Sequence, residues 1–280
     1  MIVSRFAPSP TGRLHLGHAY SAILAEAAAR DGGRFLLRIE DLDQGRSRPE
    51  FVTGIEEDLT WLGLEWAGEP VVQSRRGDAY IKALGRLRAM GLVYPCFCTR
   101  SDIAAALSAP HGQHAHYPST CRWQPDDPER RAETPHSWRL DAAKALAKAG
   151  PSTWTEADGR RFSASTAEID DEILARKDAP ASYHLACVVD DAASGVTLVV
   201  RGADLRGSTP VQRLLQALLG LPEPTYLHHP LVVHEDGRRL AKRDHAPTLA
   251  ALRENGVDAR ALAAQLATGL VPSGFRLADA

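Results

Sequence analysis

The stretch "RFAPSPTGRLHLGHAY", residues 5–20, decides how the chain is read. Two prolines and Gly12 end a short apolar strand over residues 2–7. His15, Gly17 and His18 then stand at the mouth of an Ala-rich helix that stops at paired glycines, a common helix end. Backbone N–H groups and the helix dipole at such a start favour an anion. Two imidazoles one turn apart would face one side and donate to phosphate oxygens, with Gly17 admitting a ring or phosphate close to the backbone. Taken alone, the HxGH pattern leaves three readings open: a nucleotide site, a metal pair, or incidental histidines in a strand-to-helix connection.

Outward from this stretch, the chain alternates strand and helix. "RFLLRIED" is a compact apolar run with turn residues at its end, read as a buried strand. A helix over residues 49–63, a short strand at "VVQS" and an amphipathic helix in "RRGDAYIKALGRLRAMG" follow. This rhythm predicts βαβ units and a Rossmann-like parallel α/β sheet with right-handed crossovers. Residues 94–170 interrupt it with a Pro-, His- and Ser-rich insertion. The pattern resumes over 171–245 with "DEILAR", "SYHLACVVDD", "GVTLVVRGAD", the helix "TPVQRLLQALLG" and the apolar run "TYLHHPLVV". The predicted organisation is 1–93 and 171–245 as two halves of one α/β domain, 94–170 as the insertion, and 246–280 as a tail of two short helices.

Composition narrows the classes. With 44% hydrophobic and 24% charged residues, the chain has the make-up of a globular protein. A net charge of −2 gives no overall attraction to polyanions, so any nucleic-acid contact must come from local basic patches. No apolar run reaches the ~18 residues of a membrane span, and no signal-peptide pattern opens the chain. The expectation is a cytoplasmic protein.

Three of the four cysteines lie in the insertion. Cys96 and Cys98 form a Cys-x-Cys pair, and Cys121 arrives 23 residues later. Three soft ligands suit Zn²⁺, which takes four in a tetrahedral structural site. On ligand preference alone the fourth is one of His111, His114 or His116. Cys187 is read as a core residue in an apolar strand.

The motifs together resemble the glutamyl-tRNA synthetase group of the class I aminoacyl-tRNA synthetases. "FAPSPTG" with "LHLGHA" is similar to that group's opening, which includes its HIGH motif. "RIEDLDQGR" and "WLGLEW" are similar to its next elements, and "YHLACVVDD", "VVRGADL" and "RRLAKRD" follow in the same order. The resemblance runs from Arg5 to about Lys242. It implies that His15, Gly17 and His18 hold ATP, and that Arg5, Ser9, Glu40, Tyr183 and Arg201 recognise L-glutamate. An arginine fork matches a carboxylate bidentately, and Glu40 supplies an acceptor for the α-ammonium. Lys242 would be the second lysine of a KMSKS-like loop, stabilising charge on the leaving pyrophosphate. Here Arg239, Ala241 and Arg243 replace that motif's first lysine and its serines. The resemblance also implies Mg²⁺ with ATP, and Tyr117 as the fourth zinc ligand, ahead of His116.

Only 38 residues follow Lys242, where a full-length member continues into an anticodon-reading helical region. The chain is therefore similar to the group's truncated paralogues. That likeness implies activation of glutamate without tRNA, then transfer to the queuosine base of tRNA(Asp), by a monomer. The alternatives are a core that charges a tRNA 3′ end, and a silent relative that binds tRNA or a partner protein.

Overall fold

A computed structural model of the chain describes residues 1–99, 101–103, 117, 119–240 and 247–278. Its first half is β1 (Val3–Phe6), α1 (Leu16–Ala27), β2 (Arg34–Ile39), α2 (Pro49–Trp61), β3 (Val71–Val72), α3 (Gly77–Ala89) and β4 (Val93–Cys96). Strands β1, β2 and β3 pair in parallel in that order. Helix α1 buries Leu16, Ala19, Tyr20 and Ile23, the spacing that keeps one helical face on the sheet. Its return to β2 depends on Gly33. A Cβ there would lie 2.4 Å from the Ile2 carbonyl oxygen and 2.7 Å from that of Ala29.

The insertion holds α4 (Pro128–Glu133), β5 (Ser137–Leu140), α5 (Ala142–Ala149), β6 (Thr153–Thr155) and β7 (Arg161–Ser163), and β8 (Ile173–Ala175), just beyond residue 170, joins its sheet. Strand β5 pairs antiparallel with both β4 and β8, while β6 and β7 form a hairpin. Then come α6 (Tyr183–Ala193), β9 (Leu198–Gly202), α7 (Thr209–Leu219), β10 (Thr225–His229) and β11 (Val232–His234). The insertion shares a core with these helices. Tyr80 and Leu87 of α3, Leu140 of β5, Leu174 of β8, Leu185 of α6 and Leu214 of α7 form one buried cluster.

Strands β9 and β10 are parallel, and β9 lies along the side of β1 away from β2. The Thr197 N–H donates to the Val3 carbonyl at 2.9 Å, and the Val3 N–H donates to Thr197 Oγ1 at 2.9 Å. From β1 the strand order grows one way, through β2 and β3, and from β9 it grows the other way, to β10. In parallel α/β sheets this reversal opens a crevice for a ligand.

Two sequence expectations need correction. Residues Tyr183–Ala193 are helix α6, not a strand, so Cys187 is a buried helical residue. The helix is packed on both flanks: Asp190 reaches Gln73, Arg76 and Tyr80, whereas Asp191 reaches Arg5 and Arg38. Burial on two sides erases the polar stripe that marks an amphipathic helix. The tail is also more than α8 (Leu249–Glu254) and α9 (Ala259–Ala267), because β12 (Phe275–Leu277) pairs antiparallel with β11.

Candidate active site

The crevice between β1 and β9 is a cavity of about 500 Å³. Arg5, Ser9, Glu40, Tyr183, Arg201 and His18 all line it, so motifs far apart in sequence meet at one place.

His15 is the N-cap of α1. Its Nδ1 accepts the Gly17 N–H at 3.1 Å, while His18 Nδ1 accepts the His15 N–H at 3.2 Å. This reciprocal cap brings the rings to 3.8 Å between centroids. With both Nδ1 atoms accepting, each neutral ring carries its proton on Nε2, as a donor. Gly17 serves the same arrangement, since a Cβ would stand 3.1 Å from His15 Cε1. The histidines therefore organise the helix start, and of the HxGH residues only His18 is part of the cavity lining. Leu240 Cδ1 lies 3.9 Å from that same Cβ position, so Leu240, two residues before Lys242 in sequence, stands beside Gly17. Lys242 itself lies outside the described residues, as do His111, His114 and His116.

The glutamate-side residues divide by charge. Arg5 Nε donates to Asp191 Oδ1 at 2.9 Å, and Arg5 Nη1 donates to the Val200 carbonyl at 3.3 Å. Arg38, buried on β2, donates to the same Asp191 oxygen and to Glu40 Oε1 at 3.0 Å. Two guanidiniums thus face two carboxylates in a nearly dry cluster. Burial works against ionisation of Asp191, but Arg38 and Arg5 outweigh it and hold the carboxyl well below the usual range. Burial pushes Glu40 up, with Arg38 opposing. Burial and the Asp191 charge push the Cys187 thiol to about 12, so it stays protonated.

Arg201 is different. It is 4% exposed, and its partners are neutral: Nε donates to His228 Nε2 at 3.1 Å, Nη1 to Gln212 Oε1 at 2.7 Å, and Nη2 to Thr209 Oγ1 at 2.8 Å. Among the described residues it makes no ion pair. Its charge meets a carboxylate only through His228, whose Nδ1–H donates to Glu156 Oε1 at 2.7 Å. Burial, together with the Arg201 charge, lowers His228 to about 4 and keeps the ring neutral. A buried cation facing a cavity without a counter-charge is a prepared anion site.

Sequence reasoning missed Arg38, Asp191, His228 and Glu156. Arg38 stood in plain view, as an arginine inside an apolar strand two residues before Glu40. Asp191 was hidden by the strand reading of its segment.

At the end of β4, the Sγ atoms of Cys96, Cys98 and Cys121 lie within 4.8 Å of one another. Tyr117 Oη is 3.1 Å from Cys96 Sγ and 3.4 Å from Cys98 Sγ. Ligands about 2.3 Å from a tetrahedral ion stand about 3.8 Å apart, so this donor set is compatible with zinc. Arg139 closes the site from behind, donating to Cys96 Sγ at 3.4 Å with its guanidinium 3.6 Å above the Tyr117 ring. Although burial opposes ionisation of Cys96, the Tyr117 and Arg139 hydrogen bonds outweigh it and lower that thiol.

The cavity, the HxGH cap and the parallel sheet define a class I synthetase catalytic domain. Residues 1–274 match the family described as tRNA synthetases class I (E and Q), catalytic domain, and the chain belongs to it. This class comprises ATP-dependent ligases. A glutamate tRNA ligase from Elizabethkingia meningosepticum, solved in complex with its amino acid, superposes with a TM-score of 0.80 at 27% identity. The match covers 95% of this chain but 60% of that one. Two curated relatives narrow the assignment. The glutamyl-Q tRNA(Asp) synthetase of Rhodobacter capsulatus is 45% identical over 269 residues, 91% of this chain and 96% of that protein. The protein of the same name from Nocardia farcinica is 49% identical over 88% of this chain and 77% of its own length. Within the class, the chain belongs to the family of these glutamyl-Q tRNA(Asp) synthetases. Among the described residues no helix is long and apolar enough to cross a membrane.

Proposed function

We propose that the protein activates L-glutamate with ATP, without tRNA, and transfers it to the queuosine base of tRNA(Asp). The observation that carries the first half is Arg201, a buried guanidinium with neutral partners that faces the crevice. It favours a ligand that brings its own carboxylate. The acceptor is argued from the names of the relatives, which cover nearly the whole chain.

In this reading Arg201 and Tyr183 take the side-chain carboxylate of glutamate. Glu40 takes the α-ammonium, and Arg5 and Ser9 border the reacting carboxylate. That carboxylate attacks the α-phosphorus of ATP. The bond to the β-phosphate breaks, pyrophosphate leaves, and the acceptor on the modified base later displaces AMP. Such steps depend on positioning and charge stabilisation and need no nucleophilic side chain. His15 and His18 offer Nε2–H donors to phosphate oxygens over Gly17, and Lys242 would meet charge on the leaving pyrophosphate. Glu40 is the one carboxylate among the described lining residues, and Arg38 already engages it. The described lining thus offers no carboxylate set for Mg²⁺, which the phosphates themselves would carry.

The same reading takes the protein as a cytoplasmic monomer whose residues 1–93 and 171–245 act as one catalytic domain around the insertion. Activation is tested by glutamate-dependent exchange of pyrophosphate into ATP without tRNA. Exchange is expected, and exchange only after tRNA is added would contradict the reading.

We also propose Tyr117 as the fourth zinc ligand, on its distances to two of the three thiols. Zinc there would tie Cys96, Cys98, Tyr117 and Cys121 together and is assigned no part in the reaction. Tyr117→Phe is expected to lower bound zinc, measured by atomic absorption, well below one ion per chain. Full zinc in Tyr117→Phe with loss in His116→Ala would move the assignment to His116.

A further inference from the structure

Ser21 and His229 form a pair that the proposed chemistry does not use. Ser21 lies three residues after His18 on the same face of α1, and both line the cavity. His229, at the end of β10, is 4% exposed, and its Nε2 is 2.6 Å from Ser21 Oγ. Its Nδ1 is 2.8 Å from the Pro230 carbonyl oxygen. A carbonyl only accepts, so the proton of the neutral ring sits on Nδ1. Nε2 must then accept, and the Ser21 hydroxyl must donate to it. Burial lowers the His229 pKa, which preserves this neutral tautomer. The Tyr20 ring meets His229 edge-on at 5.1 Å and fixes its plane.

A free serine hydroxyl adapts to donors and acceptors alike. Here its one proton is committed inward, so only its lone pairs address the cavity. We infer that Ser21 reads the nucleoside of ATP as an obligate hydrogen-bond acceptor, with His229 as the positioning residue that imposes this polarity. Its partner is a donor on the nucleoside, either the 6-amino group of the base or a ribose hydroxyl. A nucleotide with a 6-oxo base, or one lacking that hydroxyl, offers Ser21 nothing and leaves a desolvated acceptor unpaired. The inference rests on the ATP site proposed above and adds a determinant of nucleotide choice to it.

The test measures equilibrium binding of ATP, inosine triphosphate and 2′- and 3′-deoxy-ATP to the full chain by calorimetry. Ser21→Ala is expected to weaken ATP about fivefold to tenfold, the equivalent of one neutral hydrogen bond, without weakening the analogue that lacks the partner group. Collapse of the preference for ATP over inosine triphosphate identifies the amino group, and collapse over a deoxy analogue identifies that ribose hydroxyl. Ser21→Thr, which keeps the hydroxyl, restores the preference. If the amino group is the partner, His229→Leu frees the hydroxyl to donate and raises affinity for inosine triphosphate relative to ATP. Unchanged discrimination against all three analogues in Ser21→Ala overturns the inference, whatever the glutamate-dependent exchange shows. Loss of that exchange in the wild type, with the binding pattern intact, would overturn the proposed function and leave this inference standing.

Discussion

Replacing Arg201 by leucine will lower kcat/KM for glutamate in pyrophosphate exchange by roughly 10²- to 10³-fold, with little change in the KM for ATP. Truncating one partner of a buried, hydrogen-bonded charge pair costs about 2–5 kcal/mol, and each 1.4 kcal/mol is about tenfold. The loss falls on glutamate because Arg201 has neutral acceptors and, among the described residues, no counter-ion. Arg201→Lys keeps the charge but loses the fork that satisfies His228, Gln212 and Thr209 together. It should fall between the two, through a raised KM for glutamate. An unaltered glutamate KM in both variants would remove Arg201 from amino-acid recognition.

Asp191→Ala is the second large effect, and it concerns stability. Asp191 is the shared counter-ion of Arg5 and Arg38, all three nearly fully buried. Removing it leaves two guanidiniums in a dry interior with Glu40, on Arg38, as the one remaining carboxylate of the cluster. Breaking a buried pair from one side costs about 3–5 kcal/mol, which urea unfolding would read as a lower midpoint. The pH dependence follows from the depressed Asp191 pKa. Its contribution is present above the ordinary carboxylate range, at about pH 4 and higher. It is lost as pH falls through the folded-state value. The gap between wild type and variant should therefore hold steady from pH 5 to pH 8 and narrow only in acid. An unfolding free energy within about 0.5 kcal/mol of wild type at pH 7 would show that the cluster does not depend on Asp191.

The parallel sheet was legible because each βαβ unit carries its own punctuation. Prolines and Gly12 close β1, the paired Gly32 and Gly33 turn the chain into β2 after α1 has ended at Ala27, and the apolar run of β2 stands between turn residues. The cavity was legible for a related reason, since its lining residues sit in or beside short motifs at strand ends. What stayed hidden was burial on two sides. Helix α6 touches Arg5 and Arg38 on one flank and Gln73, Arg76 and Tyr80 on the other, so its sequence shows no polar face. The relay from Glu156 through His228 to Arg201 was hidden as well, because it joins a turn in the insertion to β10 and β9. Strand β12 escaped because three residues carry too short a period to recognise.

The histidines of the opening stretch illustrate how local and functional demands coincide. Their Nδ1 atoms cap α1, and that fixes which nitrogen of each ring remains a donor. A substitution at either position changes both helix start and donor array, so a loss of activity there cannot be assigned to phosphate contact alone. Arg201 and Asp191 separate the two demands more cleanly: one faces the cavity without a counter-ion, and the other is consumed within the protein.

Transfer of labelled glutamate to tRNA(Asp) prepared with and without queuosine tests the central claim most directly. Label on the queuosine-containing tRNA(Asp), and none on the queuosine-lacking tRNA(Asp) or on tRNA(Glu), is the predicted result. Label on tRNA(Glu) at its 3′ end would contradict it.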